Sequence, residues 1–352
     1  MHISFKPIWF DSLGAKSSCT LVKTPDVSIL IDPGIAIMHP SFPASYIEKI
    51  RWRAQGEREI IKASEKAEVI VISHYHYDHY FPKNMSIYEG KLLLVKDPNK
   101  YINESQRSRA EEFYSRICEH FGGIKLESVL GKPKAEEYPN PLNTLPLAMQ
   151  MDFGDYNKRR SELLDKGLKL FNRRIEKWNK WPEIPELEFD DVKIRYAEEK
   201  RFSFGNTELR FTMPLFHGIE FSTLGWVFAT VIEHDGEKLI HSSDMNGPII
   251  EDYAEWIIKE NPDILILDGP MTYMFGYLLN RINLNRAIRN AVRIVEESDA
   301  SLIIYDHHLV REKRFRERTK EVWKAAKKSN KKLITAAEFL GLTPKVLECS
   351  KQ

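Results

Sequence analysis

A short apolar run, Ala67-Glu68-Val69-Ile70-Val71-Ile72-Ser73, leads straight into Ser73-His74-Tyr75-His76-Tyr77-Asp78-His79. The run has the length and β-branched content of a buried strand. Side chains alternate along an extended chain, so His74 and His76 share a face and can grip one cation together. Where the chain turns, Asp78 and His79 come from adjacent positions and can reach a second cation a few ångströms away. Imidazole and carboxylate ligands suit zinc, iron or manganese, and no nearby cysteine narrows the choice. Three histidines and an aspartate within six positions at a strand end read as a metal site, ahead of a surface loop that happens to be His-rich.

The rest of the chain shows what could hold such a loop. Short β runs, ISFKPIWF, SCTLVKT and VSILID, precede it, bounded by turn formers such as Pro25-Asp26 and Pro33-Gly34. A charged stretch from Ser45 to Lys66 reads as a helix, and KLLLV at 91–95 as a further strand. From 99 to 190 the pattern turns helical, broken by prolines near 139–146 and 182–185. Strands resume with VKIRYA, ELRFTM, GWVFATVIEH and KLIHSS, and Asp235-Gly236 between the last two marks a hairpin. Beyond them helices near 250–260, 282–297 and 312–328 alternate with the strands DILILD and SLIIYD. Two β-rich halves with helices outside predict an α/β (α+β) fold, a four-layer αββα sandwich. Residues 1–98 and 191–352 form its body, and 99–190 a largely helical insertion that overhangs the site as a lid.

The motifs then carry a resemblance. HYHYDH matches the HxHxDH signature of the metallo-β-lactamase superfamily, and ILIDPG resembles that family's first motif. Further matches follow in the family's order, each after a strand: His217 in FTMPLFHG, Asp244 in KLIHSSDMNG, and His307 or His308 in SLIIYDHHLVR. The resemblance spans about residues 3–310 and leaves out 99–190; more narrowly, the chain resembles an archaeal branch of the superfamily, for which the resemblance supplies no substrate. It implies two divalent ions, zinc first and manganese or iron otherwise. His74, His76 and His217 would hold one ion. Asp78, His79 and a late histidine would hold the other, with Asp244 bridging and a water or hydroxide between the two. Asp32 would orient a ligand without touching metal. His307 is preferred for the last ligand because its spacing to Arg311 is that of RNase Z-like members; His308 is the fallback.

Such a centre implies hydrolysis. A metal lowers the pKa of bound water from about 16 to near 7, and a second ion can take the developing oxyanion of an ester-like or phosphodiester substrate. Protonation of the leaving group would need an acid or a metal-bound water, and Asp78 or a pocket residue could serve. Departures from better-known members narrow the reading. Asp244 stands where a penicillin-hydrolysing member commonly shows Cys, and His76 where a flavodiiron protein has Glu. The 63 positions between Asp244 and His307 leave little room for a β-CASP insert, whereas 138 separate His79 from His217. Two alternatives stay open: an RNase Z-like nuclease or phosphodiesterase, and a metal-binding scaffold without turnover.

Composition favours a small-molecule substrate. A formal charge of +1 does not advertise nucleic acid or membrane. The stretch from Lys158 through Lys180 is basic and carries Trp178, with Trp181 beyond it, and a second basic run spans Arg311 to Lys332. Nucleic acid is therefore a second possible partner. Yet 99–190 holds as many acidic as basic residues, and SELLDKGLKLFNRRIEKW also reads as an amphipathic helix packed on the body. No run of about 18 apolar residues suggests a membrane span, and no signal-peptide pattern opens the chain. Three scattered cysteines suggest neither disulfides nor a zinc ribbon, so a cytoplasmic location is expected. Asp268, Arg311 and His241 are further pocket candidates. Tyr75, Tyr77 and Tyr80 are expected to pack around the loop, and His2, His39, His120 and His234 fit no motif.

Overall fold

The computed structural model describes residues 2–349. Its framework is a pair of seven-stranded sheets. The first contains β1 (Ser4–Phe10), β2 (Ser18–Lys23), β3 (Ser28–Ile31), β4 (Val69–Ile72), β5 (Lys91–Val95), β6 (Leu187–Phe189) and β7 (Val192–Tyr196), in the order β1-β2-β3-β4-β5-β7-β6. Next come β8 (Arg201–Phe204), β9 (Thr207–Phe211), a separate two-stranded pair of β10 (Leu215–Phe216) with β11 (Trp226–Val227), then β12 (Thr230–His234), β13 (Glu237–His241), β14 (Ile264–Asp268), β15 (Leu302–Asp306) and β16 (Lys332–Ile334). The second sheet runs β16-β15-β14-β13-β12-β9-β8.

The alternation of side chains explains the layering. Ile29, Ile31, Val69 and Val71 pack with Ile232, Leu239, Ile264, Ile266 and Ile304 in a core between the sheets. The intervening Leu30, Ile70, Ile72, Ile240, Leu265 and Ile303 face outward into a second core. Both faces of β4 are therefore buried, which is why VIVI is apolar throughout. Helix α1 (Tyr46–Ser64) supplies Ile60 and Ala63 to the outer core on the first sheet's side, and starts at a capping box of Ser45 and Glu48. α2 (Glu104–Ile117), the one-turn α3 (Pro146–Gln150) and α4 (Tyr156–Trp178) follow in the 99–190 stretch. α5 (Glu251–Glu260), α6 (Arg281–Glu297), α7 (Phe315–Arg318) and α8 (Lys320–Lys328) come later, and Ile257, Ile294 and Val322 enter the same outer core. The result is a four-layer αββα sandwich. No described helix is long and apolar enough to cross a membrane.

Two elements differ from the sequence reading. GWVFATVIEH is two strands, because Phe228 and Ala229 separate β11, which pairs with β10, from β12, which pairs with β9 and β13. The helix expected at 312–328 breaks at Thr319, which leaves the helical region at φ −112° and ψ 24°. The Asp235-Gly236 hairpin forms as expected, both residues having positive φ. Within 99–190, β6 adds to the edge of the first sheet beside β7.

Candidate metal centre

Strands β3, β4 and β5 run parallel in one sheet, and β13, β14 and β15 run parallel in the other. Chemistry-bearing residues follow their C-terminal ends: Asp32 after β3, Ser73 and His74 after β4, Asp244 after β13, Asp268 closing β14 and His307 after β15. Open α/β sheets place ligands at this edge. Asp11, directly after β1, and His217, directly after β10, complete the ring.

The centre is built around the Asp244 carboxylate, which is 1% exposed. Nε2 of His217 lies 3.0 Å from it, that of His79 3.3 Å, that of His307 3.4 Å and that of His74 3.6 Å. Each of these rings has its other nitrogen engaged by the protein. Nδ1 of His79 meets Asp32 at 2.9 Å, and Nδ1 of His307 meets Asp11 at 2.9 Å and the Ser17 carbonyl at 3.1 Å. Nδ1 of His74 meets the Ser73 hydroxyl at 3.0 Å, and Nδ1 of His217 stands 3.1 Å from the Asn246 amide. Outer partners of this kind set the tautomer and aim of metal-binding histidines. His76 completes one group: its Nδ1 is 3.0 Å from Nε2 of His74, and its Nε2 is 3.4 Å from Gln106 on α2.

Two sets of donor atoms converge, each within 4.8 Å: His74, His76, His217 and Asp244 on one side, and Asp78, His79 and His307 on the other. A third grouping joins Asp244 and His307 to His308, whose Nε2 is 4.0 Å from Asp244. The residues fit a cation. Nε2 of His79, Nε2 of His307 and Oδ1 of Asp244 are buried without a hydrogen-bond partner, and orphaned buried polar atoms at one point need an explanation. The donors are nitrogen and oxygen only, as zinc, manganese or iron would accept.

The backbone is shaped for this arrangement. Asp32, Ser243, Asn246 and His307 all adopt left-handed φ between 49° and 58°, a conformation non-glycine residues hold only where their surroundings enforce it. Asp32 accepts from the Ser73 N–H at 2.8 Å and its hydroxyl at 2.7 Å, pinning the start of the metal loop. Gly34 is needed for close approach, because a Cβ there would lie 2.2 Å from the backbone nitrogen of His79.

Electrostatics divides the rings. Burial, reinforced by neighbouring rings, pushes His74 and His76 well below the usual imidazole range. Burial also opposes charge on His79, but Asp244 and Asp32 outweigh it and push the group up to about 10. His307 is likewise raised, by Asp11 and Asp244 against burial. Burial would raise Asp78, yet His79, His307, Lys16 and Arg311 hold it well below the carboxylate range.

The remaining sequence candidates fall in different places. Asp268 faces the protein: it accepts from the Asn246 N–H at 2.8 Å and from the backbone and Nδ1 of His308 at 3.2 and 3.0 Å. Burial and then the charge of Asp244 push it up to about 7. His241 is buried at the edge of a small cavity, with Nε2 donating to the Ser18 carbonyl at 3.0 Å and Nδ1 accepting from the Ser243 N–H at 3.3 Å. Both nonetheless border a small cavity beside Asp244 and His307, as the sequence suggested, while most of their polar atoms also bond the fold. Arg311 is buried against Asp11 and lies 3.8 Å from Asp78.

Asp11, Ser73, Gln106 and Asn246 were not singled out from the sequence. Asp11 shows the same signal as Asp32, an acidic residue closing an apolar strand. Gln106 sits inside a helix 30 positions from His76, and nothing local marks it. Through α2 the 99–190 stretch reaches the centre: Gln106 donates to the Leu224 carbonyl at 2.7 Å and Asn103 to that of Thr223 at 2.9 Å. On α4, Phe171 and Trp178 are buried, and the Trp178 indole donates to the Ile102 carbonyl at 2.9 Å, while Trp181 lies against Arg107. A cleft of about 520 Å³ bordered by Tyr101, Tyr138, Tyr196 and Met213 lies between this stretch and the body, apart from the histidines.

The family model of the metallo-β-lactamase superfamily matches residues 14–81. A UPF0282 protein of Methanopyrus kandleri is 31% identical over 356 residues, covering 97% of this chain and 95% of the relative. Its counterpart in Methanocaldococcus jannaschii is 32% identical over 361 residues, covering 98% and 94%. Among solved structures, the short form of human tRNase Z aligns with a TM-score of 0.40 at 11% identity, over 87% of this chain and 92% of that one. A metallo hydrolase of Ignicoccus hospitalis aligns with a TM-score of 0.38 at 13% identity, over 91% and 92%.

Proposed function

We propose, from the premise that the chain belongs to the UPF0282 family of the metallo-β-lactamase superfamily, that it is a dinuclear metal-dependent hydrolase. The observation that carries the reading is the convergence of four imidazole Nε2 atoms on one buried carboxylate, each ring braced from behind. In this reading His74, His76 and His217 hold one ion, Asp78, His79 and His307 the other, and Asp244 lies between them. His307 is preferred over His308 because its Nε2 is unpartnered and closer to Asp244, whereas His308 lies at 4.0 Å and leans on Asp268.

Bound divalent ions would supply activation of water near neutral pH and positive charge for a developing oxyanion. The chain's own residues do the rest. Asp32 and Asp11 hold two rings in the tautomer that leaves Nε2 open. The Ser243 hydroxyl donates to Ser73 at 2.8 Å and Ser73 to Asp32, so that the loop bearing His74 is fixed to both sheets. Asp78 is the carboxylate of the set that keeps some exposure, 15% of its side chain, and because neighbouring cations hold it ionised it serves as an anionic ligand and not as a proton donor.

The reaction class is attack on an ester-like or phosphodiester bond, with a small molecule as substrate. Burial of the α4 aromatics supports that over a nucleic acid, since bases would need free rings to stack on. Activity on bis(p-nitrophenyl) phosphate, a thioester and a lactone, each with zinc, manganese and iron, tests the reading. Turnover by metal-loaded protein is expected for at least one class. Two bound ions with no turnover across the panel would favour a scaffold instead.

A further inference from the structure

We propose that Lys16, Arg311 and Tyr273 form a subsite beside Asp78 that takes an oxyanion group of the substrate, a phosphate or a carboxylate. The inference rests on the hydrolase reading for the word substrate alone. The subsite itself follows from how these side chains are left.

Arg311 is 3% exposed. Its Nε is used by Asp11, and its Nη1 donates to the Tyr273 hydroxyl at 3.0 Å. Its Nη2 is buried without a hydrogen-bond partner among the described residues and lies 3.8 Å from Asp78 Oδ2. A buried guanidinium N–H left unpaired is costly, and Arg is the residue whose fixed donors suit oxyanions. Asp11 cannot neutralise more than it does. Its second oxygen already receives His307 and the Ser17 N–H, both at 2.9 Å.

Lys16 brings a second cation to the same place. It precedes Ser17, whose carbonyl braces His307, and its backbone is pinned to Ala36 by two hydrogen bonds of 2.9 Å. Its ammonium makes no hydrogen bond or ion pair among the described residues, although the side chain is largely covered. Burial first, then the repulsion of Arg311, depress its basicity, against the pull of Asp78 and Asp11. His39, whose ring centre lies 5.2 Å from that of Tyr273 at a tilt of 56°, feels both cations. Two cations are thus held together with one fully shared carboxylate and with Asp78, which the proposed centre claims for itself. An anion at this point would satisfy Nη2 and the ammonium at once, beside Asp78.

The test titrates inorganic phosphate, and separately acetate, into the full-length metal-loaded protein by calorimetry. Wild type is compared with Lys16→Met and Tyr273→Phe, and the metal content of each is measured in parallel. Affinity for phosphate or acetate should fall about tenfold in Lys16→Met, the loss of one charge-assisted contact, and less in Tyr273→Phe, with metal content unchanged. Unchanged affinity for both anions in Lys16→Met would overturn the proposal, as would displacement of bound phosphate by a short oligonucleotide, which would make the surface one for polyanions. If wild type holds no metal, the hydrolase reading fails by itself. The same titrations on that metal-free protein should still show dependence on Lys16.

Discussion

Beside His74, His76 and His217 the protein places uncharged groups, Ser73, Gln106 and Asn246, whereas beside His79 and His307 it places the carboxylates Asp32 and Asp11. The difference follows from position. His79 and His307 lie next to the ends of β3 and β1, where acidic residues close the strands, while His76 meets Gln106 on α2 and His217 meets Asn246 after β13. A carboxylate behind an imidazole makes it a stronger donor to metal and also a better base. One half of the centre is therefore ready to bind as it stands, and the other must first give up protons.

The comparison can be broken most directly at the group the halves share. Asp244→Ala should bring metal content, read by mass spectrometry of the purified protein, toward none. Retention of a full ion would show that the halves do not depend on their common carboxylate. Next in size is the effect of pH. His74 and His76 are held neutral, so protons do not compete for them near pH 7. His79, at about 10, is protonated in the metal-free protein throughout that range, and each proton displaced weakens binding about tenfold per unit of falling pH. Between pH 8 and 6 the affinity of the Asp78–His79–His307 half should fall by about ten-thousandfold, about a hundredfold for each proton displaced from His79 and His307, and that of the other half far less. Equal slopes would contradict the division.

Asp32→Asn should then cost the same half about 10- to 100-fold in metal affinity, and Ser73→Ala clearly less on the His74 side, both read by competition with a chelating dye. Asp11 is the poorer probe, since its loss also strands the buried Arg311. The smallest expected effect is that of Gly34→Ala. Its methyl must displace the backbone at His79, which should lower stability by about 1–3 kcal/mol in chemical denaturation and weaken the carboxylate-backed half first.

Much of this was readable from residues. Alternation and apolar runs placed nearly every strand, and the ligand-bearing motifs each stand at a strand end, so His74, His76, Asp78, His79, His217, Asp244 and His307 come together as the resemblance implied. What sits behind the ligands was less legible. Gln106 and Asn246 act through tertiary contacts with no local pattern, and Asp11 looks like any polar residue closing a strand. Asp268 and His241 stand at the site-bearing edge and line a small cavity with Asp244 and His307, while both also spend hydrogen bonds on the fold. The break of GWVFATVIEH depended on which neighbour each part pairs with, and strand pairing is decided by the whole sheet.

The central claim is that two cations lie on either side of Asp244. Crystals grown with zinc and measured at its absorption edge would test it most directly. Two anomalous peaks are predicted, one within about 2.0–2.2 Å of His74, His76 and His217, the other equally near Asp78, His79 and His307. A map with no peak beside Asp244, or with a single peak only, would contradict the account.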